Sequence, residues 1–352
     1  MSDIAVELIE RIRAAAGAGQ RLRIVAGNSK PFIGREIEAT PLDLSRHRGI
    51  VAYEPNELVL TARAATPIAE IQTTLSAHKQ MLPFEPPCFG EGATLGGTLA
   101  CNLSGPRRPW SGSIRDAVLG VRLINGNGEH LRFGGQVMKN VAGFDVARLQ
   151  AGALGAFGAI TEISVKVLPR PALSRTLGFE LPAPAAITRM NELARQPKPL
   201  TAAAWIDDRL YLRLAGAAAA VEASCAQWGG EQLEFAADFW RDLAEQRLPY
   251  FADQRPLWRF SVRPTAALAP LDGPWLIDWA GAQRWLLGEF ERAQLERMAE
   301  AAGGHVSLYR RGDRSSEVHH TLNPHLKRLH LQLKRAFDPA GVLNVGRLYS
   351  WL

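Results

Sequence analysis

The chain has 352 residues, 47% of them hydrophobic and 22% charged, a balance that excludes disordered, fibrous and collagen-like proteins and suits about two domains at ~150 residues each. Lys and Arg number 41 against 35 acids, a formal charge of +6. The surplus is spread through helix and loop with no nucleic-acid module around it, so the expected partner is an anionic cofactor, substrate or surface, and no nucleic acid.

Ile4, Leu8, Ile12 and Ala15 recur at helical spacing, and Gly17 and Gly19 stop the helix. Leu22 to Val25 reads as a strand that opens into Gly27-Asn28-Ser29-Lys30-Pro31, a loop able to turn several backbone N–H groups toward an anion. Strands follow at 50–53 and 58–62, then a helix after Pro67 with Ile68, Ile71, Leu75 and His78 on one face. Between Gly90 and Gly158 lie fifteen of the 32 glycines. That density costs backbone entropy and marks a place where backbone must approach something closely. Inside it, strands 117–124 and 129–133 pair through an Asn125-Gly126-Asn127-Gly128 turn. A strand at 160–168 runs to Pro169 and Pro171, which mark a boundary.

Beyond that boundary the glycines thin out, and seven of the nine tryptophans fall between 172 and 310. The expected order is strand 175–181, helix 185–196, a hairpin turning at Asp207-Asp208, helix 217–228, a helix near 236–247, strands near 257–263, 275–280 and 284–287, helix 290–302 and strand 305–310. This is an α+β layer, an antiparallel sheet with helices on one face. Pro324 to Phe337 reads as a basic amphipathic helix, followed by an Asp338-Pro339-Ala340-Gly341 turn.

Neither G-x-G-x-x-G between strand and helix nor a G-x-x-x-x-G-K-[ST] phosphate loop occurs, so a nucleotide must be held another way. Cys88, Cys101 and Cys225 are too widely spaced for a disulfide framework or a cluster site and read as free thiols. Adjacent His319 and His320, with Glu317, do not converge on one ion, so no metal is expected. Arg259, Ser261 and Arg263 share one side of a strand; a carboxylate clamp and a salt-bridged face are both open. The longest run without a charge, Gly92 to Pro106, is too short to span a bilayer, and Asp3, Glu7 and Glu10 break up the start of the chain where a secretory signal needs an apolar core. A cytoplasmic protein is expected.

The segment Gly92-Ala93-Thr94-Leu95-Gly96-Gly97-Thr98-Leu99-Ala100-Cys101-Asn102-Leu103-Ser104-Gly105 reads alone as a tight turn beside a helix or as backbone set against a pyrophosphate. With Ser111 to Gly120, including Arg115-Asp116, with Lys139 to Asp145, and with Gly152 to Glu162, the order of motifs resembles the FAD-binding fold of the vanillyl-alcohol oxidase and p-cresol methylhydroxylase superfamily. Phe337 to Leu348 resembles its closing segment. More narrowly, the chain is similar to the smaller FAD-binding subunits, called E, of bacterial glycolate oxidases (glycolate dehydrogenases). The likeness covers about 20–170 and 320 to the end.

The resemblance implies an α+β fold: a two-lobed FAD-binding domain of the p-cresol methylhydroxylase type over 1–171, a smaller antiparallel α+β cap for substrate or interaction over 172–318, and a C-terminal segment, 319–352, returning to the FAD domain. It implies FAD contacts from Gly27, Asn28, Ser29, Lys30, Thr94, Leu95, Gly96, Gly97, Asn102, Gly105, Ser113, Asp116, Gly155, Ile160, Asn344 and Arg347. The pyrophosphate would lie between Gly27–Lys30 and Thr94–Gly97. Lys30 stands where covalent members carry a flavin-linking His, so the FAD is expected to be non-covalent. Catalytic residues are not identified beyond Arg259 as a candidate for the substrate carboxylate. The implied function is glycolate oxidation to glyoxylate within a complex holding a second, catalytic FAD subunit and an iron–sulfur subunit, with membrane association only through that assembly. Two alternatives stay open, a self-sufficient FAD-dependent D-lactate or 2-hydroxy-acid dehydrogenase and a non-catalytic assembly subunit.

Overall fold

The computed structural model describes residues 3–135, 144–234 and 236–352. Lys139 to Gly143 of the resemblance lie outside the described residues. The chain divides into two compact units, one formed by 1–103, 113–169 and 313–352, the other by 104–112 and 170–312.

In the first unit, five antiparallel strands lie in the order Ile50–Glu54, Val59–Arg63, Ala159–Lys166, Val118–Ile124, His130–Gly134. Leu60, Ala62, Ile163, Val165, Val121 and Leu123 join one core cluster, and the neighbours on the other face, such as Thr61 and Ser164, are buried as well, so the central strands are covered on both sides. The Ile68–Ala77 helix lays Ile68, Ile71 and Leu75 on this core, and Leu95 and Leu99 of a short helix, Leu95–Cys101, join it. That short helix sits inside the glycine-rich segment. Thr94 caps it by accepting from the Gly97 N–H (3.1 Å), and Asn102 ends it in left-handed backbone.

A second, smaller sheet pairs Leu22–Val25 in parallel with Thr40–Asp43. Leu343 adds a parallel bridge to Leu22, so the end of the chain closes onto its beginning. The Ala5–Ala18 helix covers this sheet through Leu8, Ile12 and Ala15, and Gly19 stops it in left-handed backbone.

The second unit is one antiparallel sheet of eight strands: Glu231–Gln232, Leu173–Glu180, Arg209–Gly216, Leu200–Ile206, Trp275–Asp278, Gln283–Leu287, Leu257–Ser261, His305–Arg310. Asp207 and Asp208 both take positive φ (50° and 55°) to turn the hairpin between the third and fourth, the geometry a two-residue loop demands. Helices Ala183–Ala194, Ala218–Trp228 and Arg292–Ala301 pack on it. The structure thus draws its division at 169/170 and 312/313 rather than 171/172 and 318/319. It also moves Ser104–Gly112, placed with the FAD domain by the sequence, into the second unit. The reason is a tryptophan far along the chain. Trp279 donates its indole N–H to Gly105 O (3.0 Å), and the Arg108 guanidinium stacks 4.3 Å from its ring.

Candidate functional site

A cleft opens in the first unit, walled by the end of the Leu22–Val25 strand, the loop after it, the Leu95–Cys101 helix, the Leu154–Gly158 turn and the C-terminal segment. Eleven of the sixteen residues expected around the cofactor line it: Gly27, Asn28, Ser29, Lys30, Thr94, Gly96, Gly97, Gly155, Ile160, Asn344 and Arg347. Its charged lining residues are Arg23, Lys30 and Arg347, with no carboxylate among them.

The loop explains why glycine and asparagine occur where they do. A Cβ on Gly27 would lie 1.5 Å from Gly92 O, so the first loop and the glycine-rich segment touch backbone to backbone. Asn28 sits at φ 49°, a conformation asparagine tolerates better than most side chains. The backbone N–H groups of Gly27, Asn28 and Ser29 make no hydrogen bond among the described residues. Consecutive N–H groups of this kind form an anion-binding concavity. Beside them, Lys30 is buried, its Nζ 3.1 Å from Ser29 Oγ.

The opposite wall differs from the expectation that its N–H groups face a phosphate. Leu95 N donates to Thr66 O (3.1 Å), Gly96 N to Ala64 O (2.7 Å), and Gly97 N to Thr94 Oγ1. These donors are engaged with the neighbouring strand and the helix cap. What the segment supplies is close approach: a Cβ on Gly96 would lie 2.8 Å from Ala64 Cβ.

Asn344 and Arg347 act as struts. Asn344 Oδ1 accepts from Ile24 N (2.8 Å) while its amide donates to Leu154 O, joining strand, turn and C-terminal segment. Arg347 donates to Pro31 O (2.8 Å) and Arg35 O (2.9 Å), and burial pushes its pKa below the ordinary arginine value. Gly155 is confined by the same strut, since a Cβ there would meet Asn344 Nδ2 at 2.7 Å, and its φ of 74° suits glycine.

Five expected residues do not line the cleft. Ser113 and Asp116 bond to each other, Ser113 N and Oγ both 2.8 Å from Asp116 Oδ2, capping the Ile114–Ala117 turn. Leu95 is buried in the core, Gly105 belongs to the second unit, and Asn102 closes its helix with Oδ1 buried and unpartnered among the described residues. Residues that sequence reasoning missed include Arg23, Cys101 and Gly158 on the cleft wall. The Cys101 thiol, pushed up to about 11 by burial, stays protonated. Gln150 was also missed, fully buried with neither amide atom partnered among the described residues; no pattern in the sequence marks it.

In the second unit, Arg259 lies opposite Trp285 and Ser307 in the sheet register. Its Nε donates to Gln283 Oε1 (2.8 Å), and the guanidinium carbon lies 5.1 Å from the Trp279 ring, 5.9 Å from Trp285 and 6.0 Å from Tyr309. Its two Nη groups make no hydrogen bond or ion pair among the described residues. Burial lowers its pKa, with Arg108 a further repulsive charge. Arg263 does not join it: the strand ends at Ser261, and Arg263 reaches the carbonyls of Ala301 and Ala302. Trp279 and Ala280 both hold left-handed backbone, strain that persists only where surroundings fix it.

Comparison with known proteins gives this geometry a context. A family model for an FAD binding domain matches residues 5–134. The chain is 47% identical over 350 residues to the glycolate oxidase subunit GlcE of Escherichia coli (strain K12), covering 99% of each. It is 34% identical over 125 residues to glycolate oxidase subunit GlcD of Bacillus subtilis (strain 168), 35% of this chain and 27% of that protein. Among solved structures, alkyldihydroxyacetonephosphate synthase superposes with a TM-score of 0.66 at 16% identity, over 96% of this chain and 75% of that one, a likeness of fold alone. The cofactor is FAD. The cleft fits it: three cations and no carboxylate face a group carrying two phosphate charges, with unengaged N–H donors beside the buried lysine.

Proposed function

Because the chain belongs to the family of the glycolate oxidase subunit GlcE, we propose that it is the FAD-holding subunit of a complex that oxidises glycolate to glyoxylate. The observation that carries the reading is a likeness extending over the whole length of both chains, together with a cationic cleft walled by both ends of this one. Glycolate gives up two electrons and two protons from its carbinol carbon and hydroxyl, and bound FAD supplies the acceptor for the electron pair. An iron–sulfur subunit then carries electrons onward, and a second FAD subunit completes the assembly.

The work assigned to this chain is binding and orientation. The N–H groups of Gly27, Asn28 and Ser29, with the Lys30 ammonium, hold the pyrophosphate. Asn344 and Arg347 keep the walls at their spacing, and Ile160 would line the bound cofactor. Lys30 stands where covalent members of the superfamily carry a flavin-linking His, so the FAD is held without a covalent bond and is released on denaturation.

A self-sufficient 2-hydroxy-acid dehydrogenase is the second reading, and Arg259 favours it. A guanidinium with two unengaged Nη groups among tryptophans and a tyrosine suits a small carboxylate, which pairs with such a fork through two parallel hydrogen bonds. One experiment separates the readings: the visible spectrum of the purified chain before and after acid precipitation, followed by anaerobic addition of glycolate to the native protein. Yellow colour in the supernatant is expected. Bleaching by glycolate places oxidation on this subunit, an unchanged flavin spectrum places it in the complex, and a chain that stays colourless after reconstitution with FAD overturns both.

A further inference from the structure

We propose that the exposed first turns of the Pro324–Phe337 helix are where this chain docks on the second FAD subunit of its complex, and that this partner presents an acidic protein surface with apolar side chains set among its carboxylates. This rests on the reading that the chain works in a complex, and it names the surface and its chemistry.

From Val318 to Phe337 there is no Asp or Glu, while Lys327, Arg328, Lys334 and Arg335 fall within it. Lys334 turns inward to Asp338, whereas Lys327, Arg328 and Arg335 are exposed and make no ion pair among the described residues. Leu326 and Leu329 lie on the same stretch, 40% and 39% exposed, two of the few large apolar side chains so open to water. The helix does not need them for its own packing. Its inner face, through Leu333 and Phe337, already joins Phe157, Tyr349 and Leu352 in a buried cluster.

The cations are also held in place. Lys327 Nζ lies 4.9 Å from the Trp351 ring, Trp351 stacks on Tyr349 at 4.9 Å, and Arg328 Nη2 lies 3.1 Å from His325 Nδ1. Side chains already ordered lose less entropy on binding, and fixed charges steer encounter with an oppositely charged surface. A membrane is the weaker match. An interfacial helix buries a broad apolar face in the lipid, and here most of that face is spent on the protein's own core, leaving two exposed leucines on either side of Lys327 and Arg328 in the chain.

The test uses the full chain loaded with FAD and the second FAD subunit of the same complex, with affinity measured in solution at low and high salt. Wild-type binding that weakens with salt is expected. Lys327→Glu/Arg328→Glu should weaken it at least tenfold, and Leu326→Ser/Leu329→Ser should weaken it without changing the salt dependence, both with wild-type FAD content and unfolding temperature. Unchanged affinity in the charge-reversed variant overturns the assignment of this face while leaving the complex intact. Absence of binding by the wild-type chain overturns the complex reading and the face with it. Flotation with phosphatidylcholine vesicles containing phosphatidylglycerol covers the membrane: binding there that charge reversal abolishes, with subunit affinity untouched, overturns the proposal in favour of a lipid surface.

Discussion

Replacing Lys334 with methionine tests how the C-terminal helix holds the cofactor cleft. The ammonium is buried, donating to Ala156 O (2.9 Å) and Leu343 O (2.6 Å), and it lies 2.7 Å from a buried Asp338 carboxylate. Asp338 in turn accepts from Val342 N (3.1 Å) and Leu343 N (2.8 Å). Methionine keeps most of the volume but leaves a buried carboxylate without its counter-ion and two carbonyls without a donor. Breaking a buried pair from one side costs about 3–5 kcal/mol, and each orphaned polar group adds about 1–3 kcal/mol where water cannot reach it. Lys334→Met should therefore lose at least ~3 kcal/mol in urea unfolding of the holoprotein. FAD retention should fall too, because Ala156 sits in the turn whose Leu154, Gly155 and Gly158 line the cleft. Adding Asp338→Asn should recover part of the loss, since the buried charge is then gone. A single variant within 1 kcal/mol of wild type, or a double variant whose loss equals the sum of the two singles, would refute the coupling.

Three further outcomes follow from local geometry. Gly27→Ala, whose Cβ has no room beside Gly92 O, should abolish FAD retention in a spectrum of the purified protein, whereas Gly17→Ala, in a helix with open space around its Cβ, should raise stability by roughly 0.5–1 kcal/mol. His47 accepts from Ile4 N (3.2 Å) through Nδ1, and burial holds its pKa below the ordinary 6.5. The unfolded chain then binds more protons, so this stability is full above about pH 6.5 and is lost as pH falls through the depressed value. Denaturation measured from pH 8 down to 5 should show a shallower acid slope in His47→Gln, with His130, depressed by burial in the same direction, setting what remains. Arg259→Met should leave FAD content unchanged and raise the glycolate concentration for half-bleaching at least tenfold if the flavin of this chain meets substrate; equal titrations would remove Arg259 from the site.

The sequence disclosed the elements whose pattern is local. The strands expected at 117–124 and 160–168, observed at Val118–Ile124 and Ala159–Lys166, the turn at Asp207-Asp208 and the helix from Pro324 to Phe337 were all legible, because an apolar β-branched run, a pair of turn residues and a helical apolar period can each be read within a short window. The Leu95–Cys101 helix was not. Two adjacent glycines argue against helix, and only burial of Leu95 and Leu99 against distant strands outweighs that propensity. Thr40–Asp43 escaped because Pro41 suppresses a strand signal, and its parallel pairing with Leu22–Val25 gives no nearby turn to betray it. In the site, the loop at Gly27 to Lys30 was readable from composition, yet the engagement of the Leu95 and Gly96 amides depends on Thr66 and Ala64, which no spacing rule brings there. Ser104–Gly112 could not be assigned from its own residues, since Trp279, 174 positions away, decides where it packs.

The strut from Ile24 to Asn344 links residues 320 positions apart, and this sets an order of events during synthesis. At roughly 5–20 residues per second, a ribosome takes about 16–64 s to travel that distance. Throughout that interval the nascent chain has the Gly27 loop but not the wall formed by Asn344 and Arg347, while residues 170–312, with an eight-stranded sheet, are made before residues 313–352. Completion of the cleft therefore waits until Asn344 and Arg347 have been made.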